Sequence, residues 1–310
     1  MKKNLLILIL AIFLIIFFLW QGIYLPKTSL AEEKLFLIER GQNLLQIGEN
    51  LEKEGLIKNK FLFDFYVLIR GKAKKLPAGE YELSPSMNIQ EIAQKIISGD
   101  IAKIVVTIPE GFTLKQIEEK LNLKLPGENL EGFLFPDTYE FPIGVTGEEI
   151  VKKMRENFEK KLDTKIPELG LTPREAIIQQ GKTIFEVVTM ASLLEKEVKT
   201  EEDKEIVSGI LWKRLENNIP LQVDATITYI TGKKTTKISK EETQIDSPYN
   251  TYKYLGLPIG PICNPGLESI KAVMYPEESE YWYYLSIPGG KTIFSETLEK
   301  HNLVKREYLK

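Results

Sequence analysis

One uncharged apolar run constrains the fold more than any other feature of the chain. Residues 5–20 read LLILILAIFLIIFFLW, without a charge or a proline. Continued to Tyr24, the run has about the 20 residues that a helix needs to cross the hydrocarbon core of a bilayer. The sequence therefore predicts a cytoplasmic N-terminus and transmembrane helix over residues 1–24, and the remainder must fold outside the bilayer.

The residues that flank this run predict its orientation. Lys2 and Lys3 precede it, and positive flanks favour the cytoplasmic side of the membrane. A cleaved signal peptide is the alternative, but it has a shorter apolar core and a small-residue cleavage site. No such site follows closely, and no second apolar run of this length occurs. We therefore expect a single-pass protein of the cytoplasmic (inner) membrane, with the domains after residue 24 outside the cytoplasm.

Two scarcities narrow the chemistry that the chain can perform. It has 310 residues but only one cysteine, Cys263, and one histidine, His301. An internal disulfide is therefore excluded, as is a zinc site built from histidine and cysteine, which needs three or four such ligands. We predict no metal and no cofactor, and we expect carboxylates, tyrosine, lysine or serine to carry any reaction.

The charge distribution argues against a nucleic-acid partner. The formal net charge is −3, and acidic and basic residues are interspersed along the chain. The basic clusters are only short pairs such as Lys74–Lys75 and Lys233–Lys234. Phosphate binding needs a concentrated positive surface, so we expect no nucleic acid to bind.

A strand–turn–helix pattern occurs three times after a polar linker at residues 25–34. The three copies are FLIERGQNLLQIGENL (36–51), YELSPSMNIQEIAQKI (81–96) and VTIPEGFTLKQIEEKL (106–121). Apolar residues recur in each at i, i+3 and i+7, which places them on one helix face. Asn43, Asn88 and Thr113 precede these helices, where their side-chain oxygens can accept a backbone N–H. Each copy is predicted to form a short strand, a turn and an amphipathic helix.

Residues 35–83 have a strand–helix–helix–strand order. An apolar segment at residues 59–70, NKFLFDFYVLIR, predicts a second helix between the first two copies, and residues 77–83 predict a turn into a strand. This order resembles a LysM-type module, which binds glycan containing N-acetylglucosamine. A small α+β packing domain without a ligand is an equal alternative, because element order does not determine function.

A helix near the middle of the chain carries two candidate carboxylates. Residues 183–199, TIFEVVTMASLLEKEVK, keep helical spacing of their apolar residues. Glu195 and Glu197 lie near its end, and neither projects from a plainly polar face. Burial against apolar side chains raises the pKa of a carboxyl, so that it can hold a proton near neutral pH as a general acid. The helical pattern slightly favours Glu195 as the more apolar-facing residue, and it does not choose between the two.

The stretch that contains these glutamates resembles a known family. Residues 189–197, TMASLLEKE, are similar to the signature of the MltG/YceG family, the endolytic murein transglycosylases. The similarity extends in order over seven further motifs: EGFLFPDTY (131–139), WKRL (212–215), LQVDATITY (221–229), SPYNTY (247–252), GLPIGP (256–261), NPGLESIKA (264–272) and FSET (294–297). With the anchor and the LysM-like part, the resemblance covers essentially the whole chain.

The resemblance implies a fold, a reaction and a catalytic residue. The implied fold class is α+β, with an N-terminal transmembrane helix, a LysM-like glycan-binding subdomain at residues 35–102 and a mixed α+β catalytic domain at residues 103–310. The family cleaves the bond between N-acetylmuramic acid (MurNAc) and N-acetylglucosamine (GlcNAc) without water, leaving 1,6-anhydro ends. Its catalytic glutamate maps to Glu197, which leaves Glu195 as a supporting carboxylate. The implied partners are peptidoglycan glycan strands and the membrane-bound peptidoglycan synthases.

Loop residues after the helix supply candidate substrate contacts. Amide, hydroxyl and aromatic side chains suit sugar rings, which offer hydroxyls and apolar C–H faces, and binding residues are often found on loops. Together with Glu195, the residues predicted to bind substrate are Gln222, Asp224, Ser247, Tyr249, Asn250, Thr251 and Tyr252.

Two other functions fit parts of the same sequence. The anchor and the LysM-like part alone would fit a non-enzymatic glycan-binding scaffold. A glycoside hydrolase with two carboxylates would pair Glu197 with an aspartate such as Asp224, since ordinary glycosidases use two. Hydrolysis adds one water to its product, which distinguishes it from the lyase reaction.

Overall fold

The protein forms two compact units in the computed structural model. The structure describes residues 2–29, 32–74, 76–167, 170–233, 238–287 and 290–308. Residues 30 and 31 of the predicted linker, and Lys75 and Lys234 of the two lysine pairs, lie outside the described residues. The first unit comprises Met1–Val105 with Glu140–Val145, and the second comprises Val106–Tyr139 with Thr146–Lys310.

The first unit begins with the long apolar helix. Helix α1 spans Lys2–Tyr24, and its stretch Lys3–Tyr24 is the one helix in the described residues that is long and apolar enough to cross a membrane. Its side chains are largely unburied up to the last turn. A signal sequence near an N-terminus meets the same criteria.

The remaining elements of the first unit have the predicted strand–helix–helix–strand order, followed by one more helix. They are β1 (Lys34–Ile38), α2 (Leu44–Lys53), α3 (Lys60–Ile69), β2 (Gly79–Leu83) and α4 (Ile89–Ser98). Strands β1 and β2 pair antiparallel, with Phe36 opposite Tyr81. Both of these rings are fully buried, and they share a core with the inner faces of the three short helices.

The three predicted helix starts are confirmed. Asn43 before α2, Asn88 before α4 and Thr113 before the next helix each accept a hydrogen bond from the backbone N–H three residues later. In each case the cap's own N–H donates to a side-chain oxygen of the residue at that third position, which is Gln46, Glu91 or Gln116. These reciprocal capping boxes satisfy backbone donors that the helix leaves free.

The chain passes from one unit to the other within two paired strands. Strand β3 (Lys103–Thr107) and strand β4 (Thr138–Pro142) form a two-stranded sheet. Residues Glu140–Val145 therefore belong to the first unit although they follow its other elements by more than thirty residues. Local sequence patterns do not report such a long-range pairing. The division into a glycan-binding subdomain and a catalytic domain at residue 102 stays a prediction.

The second unit is mainly helical. Its helices are α5 (Leu114–Leu121), α6 (Gly147–Leu162), α7 (Pro173–Gln179), α8 (Ile184–Glu197), α9 (Glu201–Glu216), α10 (Asp224–Thr231), α11 (Leu267–Met274) and α12 (Leu298–Tyr308). A short 3₁₀ turn, Glu242–Gln244, lies in the loop between α10 and α11. Strands β5 (Tyr283–Ser286) and β6 (Thr292–Ser295) form an antiparallel hairpin.

Helix α8 lies at the centre of the second unit. Every residue from Val187 to Leu194 is buried, which includes the polar Thr189 and Ser192. Helices α7, α9, α10 and α11 pack against it. A helix that is apolar on all sides belongs in a core, and this burial holds the last turn of α8 in a defined position.

Candidate functional site

Helix α8 delivers Glu197 to the edge of the core. The helix begins after Thr183, whose side chain forms a capping box with Glu186. It ends at Glu197 because Val198 adopts an extended backbone conformation. Glu197 is thus the last helical residue. The residue is half-buried, and its carboxyl is closely surrounded by protein.

Two neutral donors and one carboxylate surround the Glu197 side chain. The backbone N–H of Ala225, in the first turn of α10, donates to its Oε1 atom at 3.2 Å. The Tyr284 hydroxyl on β5 also donates to this carboxyl. Asp224 is near enough to repel its negative charge. Ser286, two residues after Tyr284, donates to the main-chain oxygen of Glu197 at 2.9 Å.

Burial and Asp224 give Glu197 an unusual acidity. Burial raises the pKa of its carboxyl, and the charge of Asp224 raises it further. The bonds from Ala225 and Tyr284 act in the opposite direction, because they stabilise the charged form. The resulting pKa is about 7, so at neutral pH the carboxyl is present in both its acid and base forms.

Asp224 is itself held by a half-buried tyrosine. The Tyr252 hydroxyl donates a hydrogen bond to the Asp224 carboxylate. Burial raises the pKa of Asp224, while this bond and the nearby Lys305 lower it. The structure therefore brings three of the predicted site residues, Glu197, Asp224 and Tyr252, into one cluster.

Arg214 connects the segments that carry this cluster. Its guanidinium donates to the main-chain oxygen of Trp282, just before β5, at 2.7 and 2.9 Å. It also donates to the main-chain oxygen of Leu221, in the loop just before α10, at 2.9 Å. Arg214 is buried, and it lies near the rings of Tyr252, Tyr283 and Tyr284. One side chain thus fixes both the strand and the loop that contact Glu197.

Glu195 lies in a separate polar cluster. Its Oε2 atom accepts hydrogen bonds from the Gly266 N–H at 3.0 Å and from the Ser269 hydroxyl at 2.6 Å. The Lys204 ammonium lies 3.7 Å away, and its side chain is only 3% exposed. Residues two apart on a helix project in nearly opposite directions, which separates Glu195 from Glu197. These contacts hold the Glu195 carboxyl inside the protein, and its predicted contact with substrate stays a prediction.

Three predicted loop contacts are engaged inside the protein. The Asn250 amide donates to the main-chain oxygens of Thr243 and Ile245 at 3.0 and 2.8 Å. The Thr251 hydroxyl accepts from the Val223 N–H at 3.0 Å, and the Ser247 hydroxyl accepts from the Tyr249 N–H at 3.3 Å. Asn250 and Thr251 are buried. Their side chains hold the loop in place, and their predicted contact with substrate stays a prediction.

Gln222 and Tyr249 keep surface available. Gln222 is exposed and has a backbone φ of 54°, a left-handed conformation that is uncommon for residues other than glycine. Its N–H donates to the Thr251 oxygen at 3.1 Å. The ring of Tyr249 is partly exposed and packs 5.0 Å from the ring of Tyr229. Both residues could contact a ligand from the positions that they occupy.

Glu131 is a second carboxyl with a raised pKa. It belongs to the EGFLFPDTY motif, and it accepts hydrogen bonds from the Leu114 N–H at 2.9 Å and from the Asn264 amide at 3.1 Å. The Tyr229 hydroxyl donates to its other oxygen at 3.3 Å. Burial raises its pKa to about 7, against the effect of the bonds from Leu114 and Tyr229. Glu131 thus links α5, α10 and the loop before α11.

Sequence reasoning missed Tyr284, Arg214 and Glu131 as functional residues. Arg214 and Glu131 belong to the motifs WKRL and EGFLFPDTY. Each is a charged residue among apolar neighbours, and this was the signal that could have identified them. Tyr284 had no such signal, because it lies in an aromatic run, YWYY at residues 281–284, in which any ring could serve the core. In the described residues, no group of three or more His, Cys, Asp and Glu side chains could hold a metal.

Comparisons with known proteins agree on one family. The YceG-like family profile matches residues 36–307. A Bacillus subtilis protein named endolytic murein transglycosylase is 31% identical over 88% of this chain and 84% of its own length. A Streptococcus pneumoniae protein of the same name is 30% identical over 86% of this chain and 56% of its own length.

A solved structure gives the same result. The crystal structure of a YceG-like protein from Listeria monocytogenes superposes with a TM-score of 0.59 at 32% sequence identity. It covers 89% of this chain and all of that one. The resemblance seen in the ordered sequence motifs is confirmed, and this chain belongs to the YceG-like family.

Proposed function

We propose that this protein is an endolytic murein transglycosylase that cleaves the MurNAc–GlcNAc bond of peptidoglycan and leaves 1,6-anhydro-MurNAc ends. The family membership and the names of its relatives support the substrate and the lyase reaction. One structural observation carries the assignment to a residue. Glu197 is a half-buried residue at the end of a buried helix, and its carboxyl is held by Ala225 and Tyr284 beside Asp224.

The first half of the proposed reaction breaks the glycosidic bond. Glu197 in its acid form donates its proton to the oxygen between the two sugars. The bond between that oxygen and C1 of MurNAc breaks, and the GlcNAc-ended strand leaves with the proton. Positive charge develops at C1 as in other glycosidase reactions, and the substrate's own acetamido group can stabilise it. A pKa of about 7 makes the acid form abundant at neutral pH.

The second half closes the anhydro ring and restores the enzyme. Glu197, now a carboxylate, accepts the proton of the C6 hydroxyl of MurNAc. That oxygen attacks C1 and forms the 1,6-anhydro bond, so no water is consumed. One carboxyl performs both steps, which requires a group that gives and takes a proton with similar ease. The nearby charge of Asp224 favours the return of the proton to Glu197.

The proposal places this chemistry on the outer face of the cytoplasmic membrane. Helix α1 is the single-pass anchor, with the N-terminus in the cytoplasm as Lys2 and Lys3 favour. The βααβ part at residues 35–102 is a LysM-like glycan-binding subdomain, and residues 103–310 form the catalytic domain. Internal cleavage of nascent strands beside membrane-bound peptidoglycan synthases would terminate their elongation.

Product masses test the reaction and the residue together. Purified full-length protein is incubated with peptidoglycan, and soluble fragments are analysed by mass spectrometry. We expect fragments with anhydro ends from the wild type and none from Glu197→Gln, which keeps the shape of the side chain but cannot donate the proton. Anhydro fragments from the Gln variant would reject Glu197 as the acid/base.

A two-carboxylate hydrolase remains the second candidate, because Asp224 lies beside Glu197. In that reaction an ionised Asp224 would activate water, and each cleaved bond would take up one water and create one reducing end, on MurNAc. The same digestion therefore separates the two functions by mass. Reducing ends in wild-type products would favour the hydrolase.

A further inference from the structure

The first unit carries an apolar stripe that its own core does not cover. Four residues of α3, Phe61, Phe65, Leu68 and Ile69, are between 45% and 69% exposed. Their spacing of i, i+4, i+7 and i+8 places them on one face of the helix. The opposite face, which includes Phe63 and Val67, is fully buried in the unit's core. We call these four residues the α3 stripe.

The end of α1 packs directly beside this stripe. A Cβ atom added at Gly22 would lie 2.3 Å from the Cδ1 atom of Leu62, so the end of α1 is in contact with the Leu62 side chain. Ile23 is 5% exposed and belongs to the same core as Phe63. On the helix, Leu62 projects between the buried face and the α3 stripe, next to Ile69. The lipid-facing surface of α1 is therefore continuous with the stripe.

The contact with α1 also defines the depth of α3. A helix of 23 residues is about 34 Å long at 1.5 Å per residue, and the hydrocarbon core is about 30 Å thick. Gly22 lies in the last turn, where the rings of Trp20 and Tyr24 stack with centroids 6.2 Å apart. Such rings prefer the boundary between lipid and water. Leu62, in contact with Gly22, lies at that boundary.

The charged groups of α3 have partners within the protein. Lys60, at the start of the helix, lies 3.9 Å from Glu49, and Arg70, after its last residue, donates to the Tyr66 hydroxyl at 3.0 Å. The helix's one acidic side chain, Asp64, is buried. The stripe itself has no charged side chain, so it offers only apolar groups to a lipid phase.

We propose that the α3 stripe is inserted into the outer leaflet of the membrane in which α1 is anchored. The occupant of the stripe is lipid, and its acyl chains meet the four apolar side chains. Two adjacent helices, α1 and α3, then hold the first unit at the bilayer, where α1 alone would leave it free to move away from the surface. This inference rests on the anchoring role of α1 in the proposed function.

A fluorescence experiment on the full-length chain tests the insertion. Single variants Phe65→Cys, Leu37→Cys and Phe13→Cys are labelled with an environment-sensitive dye and reconstituted in vesicles of phosphatidylcholine and phosphatidylglycerol. Cys263 is buried, so labelled wild type measures the background. Leu37 is the matched control: it is an exposed apolar residue, but on β1 it points away from the core that α3 covers. Phe13 lies inside α1 and reports on the anchor.

We expect lipids brominated near the headgroup to quench the dye at Phe65 by at least about half, as for a face that lies about 5–10 Å into the interface. The dye at Leu37 should stay unquenched, and lipids brominated deeper in the acyl chain should quench the dye at Phe13.

Quenching at Phe13 without quenching at Phe65 would overturn the insertion and leave the anchor intact. No quenching at Phe13 would reject the anchor, and the insertion with it. A blue-shifted but unquenched dye at Phe65 would show that protein covers the stripe, which also overturns the proposal.

Discussion

The two ends of the Glu195–Glu197 segment lie in opposite electrostatic surroundings. At Glu195, a buried lysine 3.7 Å away and two hydrogen-bond donors balance the negative charge. At Glu197, the donors are neutral and the nearest charged partner is another carboxylate, Asp224. A balanced charge stabilises the fold in one ionisation state, whereas an unbalanced one can exchange a proton. The difference in function that we propose for the two glutamates therefore originates in their neighbours.

The largest expected effect is on turnover at Glu197. General acid–base catalysis contributes on the order of 10²–10⁴-fold to a rate, and the proposed reaction uses Glu197 in both steps. Glu197→Gln should therefore lower kcat by about 10³-fold or more, measured as anhydro ends released per minute. Its thermal unfolding midpoint should not fall, since the substitution removes a carboxyl whose burial is unfavourable. A wild-type rate in Glu197→Gln would contradict the proposal that Glu197 is the acid/base of the reaction.

Glu195→Gln should show the reverse pattern. The substitution removes one of the two carboxylates beside the buried Lys204 and leaves Glu268, 3.8 Å away. It should lower the free energy of unfolding by about 1–3 kcal/mol. Urea denaturation measures that loss, while turnover per folded molecule should stay close to wild type. The double variant Glu195→Gln with Lys204→Met should recover most of the stability, because no buried charge remains unpaired. Loss of turnover with unchanged stability would instead give Glu195 a direct role in the reaction.

Local sequence patterns predicted helices in both units. The N-caps at Asn43, Asn88 and Thr113 formed where predicted, because capping depends on residues only three positions apart. The helix predicted over residues 183–199 from its apolar spacing, which is also a local pattern, spans Ile184–Glu197. The return of residues 140–145 to the first unit was not predicted, since strand pairing across more than thirty residues leaves no local periodic signal.

The site was predictable only where a motif carried it. The helical pattern slightly favoured Glu195, which is the glutamate that the structure places beside a buried lysine. It could not choose Glu197, because the residues that raise or lower the Glu197 pKa lie 27 and more positions away along the chain. Tyr284 is the clearest example: it reaches Glu197 from a hairpin whose position depends on Arg214.

Asp224→Asn should shift the pH dependence of the reaction downward. The charge of Asp224 raises the pKa of Glu197, so its removal lowers that pKa and the acid form is lost at a lower pH. The wild-type rate should fall as pH rises through about 7, and the variant's rate should fall about one pH unit earlier. Asp246→Asn is the matched control, because that aspartate is exposed and pairs with Lys253. An unchanged pH midpoint in Asp224→Asn would contradict the effect of the Asp224 charge on the pKa of Glu197.

Tyr284→Phe should produce a smaller shift in the opposite direction. The Tyr284 hydroxyl donates to the Glu197 carboxyl and stabilises its charged form. Without that bond the pKa of Glu197 rises, so the alkaline limb of the pH–rate profile should move upward by about half a unit. Tyr283→Phe is the matched control, because Tyr283 is the adjacent residue on the strand and stacks on His301 with ring centroids 5.2 Å apart. A merely structural role for Tyr284 would lower the rate equally at every pH. A midpoint that moves for Tyr284→Phe and stays fixed for Tyr283→Phe would identify one hydroxyl as the donor that opposes Asp224, and equal shifts in the two variants would contradict that assignment.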